Sequence, residues 1–200
     1  DLLKSNKGDK EGALKDYDKA IELDQSLAMA YYNRGNVKDD LGDPKEAIRD
    51  YDKAIELEPN YARTYFNRGN IKDDLGDPKG AIADYDKALE LDSNYVAAFN
   101  NRAYVLSNIG KLDQALDTIN EAIAIDDSNY GLWETKGEVC MKMENYDGAV
   151  FSFTKALGLN SKDKGSLENR AKCYRKLAEV EQDPLKKAEW IAKAEADEQK

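Results

Sequence analysis

Two pairs of adjacent aspartates, Asp39-Asp40 and Asp73-Asp74, are well placed to bind a charged ligand. Both pairs are predicted to end a helix, where a carboxylate opposes the helix dipole at a cost of roughly 0.3–1 kcal/mol per exposed charge. Because both segments accept this loss of stability, the aspartates are expected to have a function, such as pairing with a lysine or arginine of a partner. Alternatively, the two segments are recent copies of each other, and the second aspartate pair is not independent evidence. No alternating acidic loop with glycine surrounds either pair, so Ca²⁺ is disfavoured.

A row of amides offers a second kind of chemistry. Asn33, Asn67 and Asn101 follow one another at intervals of 34 residues, and Thr135 and Asn169 continue the series. Because a side-chain amide both donates and accepts hydrogen bonds, such a row can pair with an extended peptide backbone without reading its sequence. The alternative, that these amides tie neighbouring helices together, stays open.

The residues that catalysis usually requires are missing. The sequence contains no histidine, so no Ser-His-Asp or Cys-His arrangement and no histidine metal ligand can form. The Gly-Asp-Pro-Lys segments at 42–45 and 76–79 lack the further glycines and the Ser or Thr of a phosphate-binding loop. We therefore expect no enzymatic activity, no cofactor and no metal in this chain.

Composition indicates an acidic, elongated protein. The net charge is -10, and 35% of the 200 residues are charged. This balance disfavours nucleic acid and favours basic protein or peptide partners. No apolar run approaches the ~20 residues that span a bilayer, so no membrane insertion is expected. The two cysteines, Cys140 and Cys173, are predicted to be buried thiols. The compartment stays open, with a reducing, cytoplasmic one favoured.

The helices that position these residues follow a 34-residue period. Residues 31–45 and 65–79 are nearly identical. Small residues recur at this interval at Gly35, Gly69, Ala103, Gly137 and Ala171, and turn glycines recur at Gly8, Gly42, Gly76 and Gly110. One helix pair cannot bury its own apolar face, so neighbouring pairs must stack.

Residues 28–61 illustrate the predicted unit. The first helix is expected to run from Ala28 to Leu41 and to stop at Gly42. Asp43 is then predicted to cap a second helix that Pro59 ends.

This pattern resembles the tetratricopeptide repeat (TPR) family. The family has an aromatic residue at position 4. In this sequence the position is occupied by Tyr31, Tyr65, Phe99 and Trp133, and by the aliphatic Leu167 in the last repeat. The family also has an aromatic residue at position 24, which is occupied here by Tyr17, Tyr51, Tyr85 and Phe153, and by the aliphatic Ile119 in one repeat. Its proline at position 32 is present only as Pro59.

The resemblance implies an all-α, right-handed α/α superhelical solenoid that forms a single domain over 1–200. Its predicted parts are a truncated repeat (1–27), four full repeats (28–61, 62–95, 96–129, 130–163) and an irregular terminal repeat or capping helix (164–200). Because the chain opens inside a repeat, we expect it to belong to a longer protein.

The end of the chain departs from the period. We predict a first helix over Lys164–Leu177 and a charged capping helix over 184–196. The predicted apolar side of the capping helix is Leu185, Ala188, Trp190, Ile191 and Ala192.

The resemblance also implies a site, because the first helices of TPR repeats line a concave groove. The candidate peptide-binding residues are Tyr32, Asn33, Asn36, Asp40, Phe66, Asn67, Asn70, Asp74, Asn101 and Tyr104. The three aromatics among them are either ligand anchors or core. Basic residues in the last repeat suggest a charge gradient that orients the ligand; they are Lys172, Arg175 and Lys176.

Three further expectations concern partners. The family's clamp for a C-terminal carboxylate is disfavoured, since Tyr32, Ala97 and Asn101 replace its cations. The arginines at position 7 of the repeat are predicted to pair with carboxylates of adjacent helices, such as Asp50 and Asp84; they are Arg34, Arg68, Arg102 and Arg170. Besides peptide binding, two functions stay open: a scaffold that forms a homo-oligomer, and the targeting arm of a larger multidomain protein.

Overall fold

A computed structural model describes residues 10–199 as helices joined by short turns, with no strand in that range. The helices are α1 (Lys10–Leu23), α2 (Ala28–Asp40), α3 (Pro44–Leu57), α4 (Ala62–Asp74), α5 (Pro78–Leu91), α6 (Val96–Asn108), α7 (Leu112–Ile125), α8 (Tyr130–Lys142), α9 (Tyr146–Leu159), α10 (Lys164–Val180) and α11 (Pro184–Glu198). The predicted all-α repeat fold is confirmed. The predicted turn at Gly8 lies outside the described residues.

The chain divides into two compact units, Asp1–Ala98 and Phe99–Lys200. Within each unit the two helices of a repeat pack together, as α2 packs on α3 and α8 on α9. The prediction of one continuous domain stays a prediction. None of the helices in residues 10–199 is both long and apolar enough to cross a membrane.

The turn between the helices of a repeat is fixed by local chemistry. The side chain of Asp43 accepts a hydrogen bond from the backbone N–H of Glu46, and Pro44 occupies the first turn of α3. Gly42 reaches a φ of 84° just before this cap, which a residue without Cβ adopts without strain. The fourth repeat reaches the same region with Glu144, at a φ of 59°.

The helices of a repeat cross closely because a small residue faces a ring sixteen positions later. A Cβ built on Gly137 would lie 2.6 Å from the ring of Phe153, and the two other such glycines give distances of 2.9 and 2.8 Å. The third repeat has Ala103 where the others have glycine, and it has Ile119 in place of the ring. The extra methyl group of Ala103 on the first helix is thus accompanied by a side chain without a ring, Ile119, on the second.

A buried ion pair also joins the two helices of a repeat. The Arg34 guanidinium donates two hydrogen bonds to the Asp50 carboxylate, at 2.8 and 2.6 Å, and a third to Asp18 of α1. Lys38 lies 2.8 Å from the same carboxylate, which is only 4% exposed. The next repeat builds the same arrangement around Asp84. The predicted pairing of these arginines is confirmed.

The second unit keeps this column only in part. Arg102 donates to the hydroxyl of Thr118, and Lys136 replaces the arginine in the following repeat. Arg170 again donates two hydrogen bonds to a carboxylate, that of Asp197 on α11, both at 2.7 Å. The terminal helix pair therefore again places an arginine on a buried carboxylate.

The terminal helices differ from the sequence prediction. α10 extends to Val180, and the predicted apolar side of α11 is wrong at three positions, which are exposed: Leu185, Ala188 and Ala192. The Trp190 ring stacks on Tyr174 with centroids 5.4 Å apart, and Ala194 is fully buried. Together with Asp197, these residues follow helical spacing and turn a different face of α11 toward α10.

The two thiols are buried as predicted. Cys140 and Cys173 belong to one apolar cluster of the second unit that also contains Ala149 and Phe153. Burial raises the pKa of Cys140, and it raises the pKa of Cys173 to about 11. Both are protonated at neutral pH, as expected of structural thiols.

The helix crossing can be tested in the second unit. Gly137→Ala is expected to lower the free energy of unfolding by about 2 kcal/mol, because the new methyl group overpacks against Phe153. Gly158→Ala is the control: its Cβ would meet nothing within 4 Å, so it is expected to add up to about 1 kcal/mol. Urea unfolding followed by tryptophan fluorescence measures both, since Trp133 and Trp190 lie in this unit.

A second variant keeps the test specific. Combining Gly137→Ala with Phe153→Ile reproduces the pairing of Ala103 with Ile119, so the two changes are expected to cost less together than the sum of their separate costs. Simple additivity would contradict the steric explanation.

The buried ion pair can be tested in the first unit. Asp84→Asn removes the charge shared by Arg68 and Lys72, and we expect a loss of about 3 kcal/mol because two cations remain without it. Glu90→Gln breaks the exposed Lys87–Glu90 pair and is expected to change stability by less than about 1 kcal/mol. Urea unfolding followed by far-UV circular dichroism compares the two variants. Equal losses of stability would contradict a larger contribution from the buried ion pair than from the exposed one.

Candidate peptide-binding site

In the first unit, two asparagines from neighbouring repeats meet. The Asn67 Nδ2 of α4 donates to the Asn36 Oδ1 of α2 at 2.9 Å and to the Tyr32 hydroxyl at 3.1 Å. The Tyr51 hydroxyl of α3 donates to the same Asn36 oxygen at 2.6 Å. Asn67 therefore ties two helices together, as the structural interpretation of the amide row requires.

The same network leaves half of each amide available. Within residues 10–199, neither Asn36 Nδ2 nor Asn67 Oδ1 makes a hydrogen bond. One is a donor and the other an acceptor, which is the pair that a peptide group needs. The two interpretations of the amide row are thus compatible for these residues.

An open cavity of about 230 Å³ lies beside the network. Its lining consists of Asn36, Asp39, Asp40, Tyr51, Asn67 and Asn70. Lys10 reaches Asp40 from α1 at 2.9 Å, whereas Lys38 and Lys72 are held by the buried carboxylates of the ion-pair column. The cavity therefore has two carboxylates in its lining and little compensating positive charge.

Desolvation and the crowding of carboxylates raise two pKa values in this region. Partial desolvation raises the pKa of Asp39, and the neighbouring Asp40 and Asp74 raise it further. Desolvation and then Asp74 raise the pKa of Asp73. A cation bound among these groups would lower their pKa values, so cation binding and ionisation favour each other.

A tyrosine–asparagine bond marks both full repeats of this unit. Tyr85 donates to Asn70 at 2.8 Å, as Tyr51 does to Asn36. From the sequence, Tyr51 is named only as the aromatic at repeat position 24, and its place in the cavity lining was not predicted. The constant offset of fifteen residues was the available signal, and it ends where Ile119 replaces the tyrosine.

The remaining candidates of the first unit lie around this cavity. Phe66 packs against Tyr85 and Tyr95, with ring centroids 5.9 and 4.8 Å apart, so its ring belongs largely to the packing. Asn33 is half-buried on α2 and does not line the cavity. Asp74 is exposed at the end of α4 and acts on the site through its charge.

The second unit holds the other two candidates. Asn101 is half-buried on α6, and Tyr104, 47% exposed, lines a cavity of about 320 Å³. The other residues that line this cavity are Asn108, Glu138, Met141, Lys142 and Asn169. All five occupy groove positions of the repeat, and Asn169 belongs to the amide row described from the sequence; none of them is among the ten candidate peptide-binding residues.

Thr135 and the basic residues of the last repeat are engaged within the second unit. Thr135 donates to Asn100 at 2.9 Å, which favours the structural role at that step of the row. The basic residues and their partners are Lys172 with Asn169, Arg175 with Glu198, and Lys176 with Glu179. Two of the three charges are therefore compensated by acids.

The described residues contain no group of three or more Cys, Asp or Glu side chains arranged to hold a metal ion.

Stacked helix pairs that present amides and carboxylates beside a cavity define a helical-repeat interaction module. Family models agree with this class. Tetratricopeptide repeat models match residues 28–61, 62–95, 84–117 and 130–163, and a TPR repeat model matches 6–42. The chain belongs to the tetratricopeptide repeat family.

Solved structures agree in fold. YrrB, described as a TPR protein with an unusual peptide-binding site, is 30% identical over 79% of this chain and 81% of its own, with a TM-score of 0.71. MamA is 26% identical over 78% of this chain and 85% of its own, with a TM-score of 0.72. A TPR protein from Parabacteroides merdae (18% identity, 96% and 72% coverage, TM-score 0.78) shares the fold. No curated protein sequence matches the chain significantly.

The raised pKa of Asp39 gives a test with a definite sign. Its unfolded-state value is the ordinary 3.8, so just above that pH the folded chain binds more protons and stability rises as the pH falls. Asp39→Asn is therefore expected to be slightly more stable than the parent at pH 7, with the difference shrinking toward pH 4.

Asp24 supplies a control of opposite sign in the same unit. Hydrogen bonds from the Ser26 hydroxyl and backbone lower its pKa, so Asp24→Asn is expected to be less stable than the parent at pH 7. Urea unfolding at pH 7 and pH 4 measures both variants. A loss of stability in Asp39→Asn at pH 7 would contradict the proposed crowding.

Proposed function

We propose that this chain is a non-catalytic protein-interaction module whose first unit binds an extended, basic peptide segment of a partner protein. The observation that carries the proposal is the free donor of Asn36 and the free acceptor of Asn67. They stand beside a cavity lined by two carboxylates, of which Asp40 is paired with Lys10 and Asp39 has no ion-pair partner in residues 10–199. The cavity is open and shallow, which suits a chain segment better than a small molecule.

The two asparagines give affinity that does not depend on peptide sequence. Asn36 Nδ2 can donate to a peptide carbonyl, and Asn67 Oδ1 can accept from the following N–H. Because the Tyr51 hydroxyl and the inter-asparagine bond already hold both side chains, little rotamer entropy is lost when a peptide binds.

The carboxylates give selectivity. Asp39 and Asp40 line the cavity, while Asp73 and Asp74 follow on the next repeat. A lysine or arginine of the bound segment would offset the desolvation, and the repulsion by Asp40 and Asp74, that raise the pKa of Asp39. An acidic segment would meet that repulsion, so the site discriminates by charge as well as by shape.

The family comparison supports the same function class. TPR repeats and the neighbours reported above are consistent with a protein-interaction module, and YrrB is described as having a peptide-binding site. Repeats also offer extended surfaces that suit chain segments.

The charge part of the proposal is tested with an array of ten-residue peptides that vary in lysine and arginine content. The parent protein is expected to retain basic peptides, and Asp39→Asn with Asp40→Asn is expected to bind them about tenfold more weakly, a change of about 1.4 kcal/mol. The control is Asp113→Asn with Asp117→Asn, which removes two negative charges from the exposed face of α7 in the second unit.

The backbone part is tested on the same array. Asn67→Ala is expected to weaken binding of all retained peptides, whatever their sequence, while Asn33→Ala, on α2 but outside the cavity, leaves binding unchanged. Circular dichroism checks that each variant is folded. Equal retention by the parent and a folded Asn67→Ala would reject the amide site, and equal retention by both charge variants would reject the selectivity for basic segments.

A further inference from the structure

The fourth repeat carries a surface that differs from its counterparts in the other repeats. It is formed by Trp133 and Lys136 of α8 and by Phe151 and Lys155 of α9, and we call these four residues the Trp133 surface. None of the four lines either of the cavities described above. The peptide-binding proposal therefore does not use this surface.

The surface arises where the column of buried ion pairs is interrupted. Arg34 has a carboxylate sixteen residues before it and another sixteen residues after it, Asp18 and Asp50. At the same two offsets from Lys136 the sequence has Asn120 and Ser152. Both acids have been lost, so the ammonium group of Lys136 is not neutralised in the way that the arginines are.

The ammonium groups lie on aromatic rings, as the guanidinium groups of Arg34 and Arg68 also lie on Tyr31 and Tyr65. Lys136 Nζ lies 5.5 Å from the centroid of the Trp133 ring, and Lys155 Nζ lies 5.6 Å from that of Phe151. The two rings meet edge to face, with centroids 6.1 Å apart and planes at 71°. Among the described residues, neither ammonium group has a carboxylate within 4 Å.

Phe151 is the most exposed aromatic side chain in residues 10–199. Its side chain is 54% exposed, and the corresponding positions of the three preceding repeats hold Arg49, Ala83 and Asp117. Helix propensity does not favour an aromatic at such a position. Aromatic side chains are enriched among the residues that contribute most of the binding energy at protein interfaces.

We propose that the Trp133 surface docks an acidic segment of a partner protein that carries an aromatic or aliphatic anchor. The anchor would pack on Phe151 and the edge of Trp133, and flanking carboxylates would pair with Lys136 and Lys155. Charge complementarity selects this occupant: two unneutralised ammonium groups stand together in a chain of net charge -10. Asp147, one turn before Phe151 on α9, is the acid that an incoming segment must avoid.

This chemistry is opposite to that of the first unit. A basic segment would bind among Asp39, Asp40 and Asn67 but would be repelled by the two lysines here. The two surfaces therefore sort partner segments by the sign of their charge, and each can fail experimentally without the other.

The test uses the intact chain labelled with ¹⁵N, because its two tryptophans give two separate indole N–H signals. The probe is the peptide acetyl-Glu-Glu-Phe-Leu-Glu-Glu-amide, and the counter-probe replaces each Glu with Lys. We expect the acidic probe to shift the Trp133 indole signal saturably at 50 mM NaCl. The Trp190 signal, which reports the stack on Tyr174, should stay in place, and the basic probe should not shift the Trp133 signal.

Variants identify the groups responsible. Lys136→Gln with Lys155→Gln is expected to weaken the acidic probe about tenfold, and Phe151→Ala is expected to abolish saturation. Lys111→Gln with Lys162→Gln removes two exposed lysines elsewhere in the second unit and is expected to change nothing. Circular dichroism confirms that each variant keeps its helix content.

Several results would overturn the proposal. They are the absence of a saturable Trp133 shift, an equal shift with the basic probe, or undiminished binding by a folded Lys136→Gln, Lys155→Gln protein. A Trp133 shift that depends on protein concentration without any peptide would assign the surface to contact between two copies of the chain and would also overturn it.

Discussion

In the first two full repeats, the ring of a tyrosine lies directly against the glycine backbone of the preceding helix, with no room for a methyl group between them. This contact sets how closely the two helices approach. It also places the tyrosine hydroxyl within reach of the asparagine one residue beyond that glycine, as with Gly35, Asn36 and Tyr51. Core packing and the candidate site are therefore consequences of one steric fit, and a change that separates the helices would also displace the amide.

Much of this architecture was predictable because its signals are local. The cap at Asp43 and the turn at Gly42 depend on a few neighbouring residues, and the 34-residue period makes each signal repeat. The arginine pairs were predictable as well, since Asp50 and Asp84 lie at a fixed offset from them. These features need no knowledge of distant contacts.

Other features required tertiary information. The face that α11 buries is decided by where Tyr174 and Arg170 hold Trp190 and Asp197, and apolarity alone favoured Leu185 instead. The role of Tyr51 in the cavity was hidden because its ring satisfies the apolar pattern while its hydroxyl serves the polar one. Periodicity assigns a residue to one face, whereas a tyrosine can contribute to two environments.

The two units use the same backbone design with different chemistry. In the first, charges are buried in pairs and the tyrosine–asparagine bond repeats without change. In the second, Thr118 and Ser152 stand at two of the positions of the buried carboxylates, and Asp197 of α11 supplies a buried carboxylate at the end of the unit. Repeat proteins tolerate such replacement because each repeat contacts mainly its neighbours. A repeat that has lost its ion pair has side chains free to be used at the surface.

The two cysteines have a practical consequence. Cys140 and Cys173 lie in one apolar cluster between α8, α9 and α10, and burial disfavours their reactive thiolate forms. A thiol reagent can reach them only when this cluster opens. The rate of alkylation under native conditions therefore measures local unfolding of the cluster. The unaltered chain thus carries its own reporter of how often the helices of the second unit separate, and that reporter needs no engineered label.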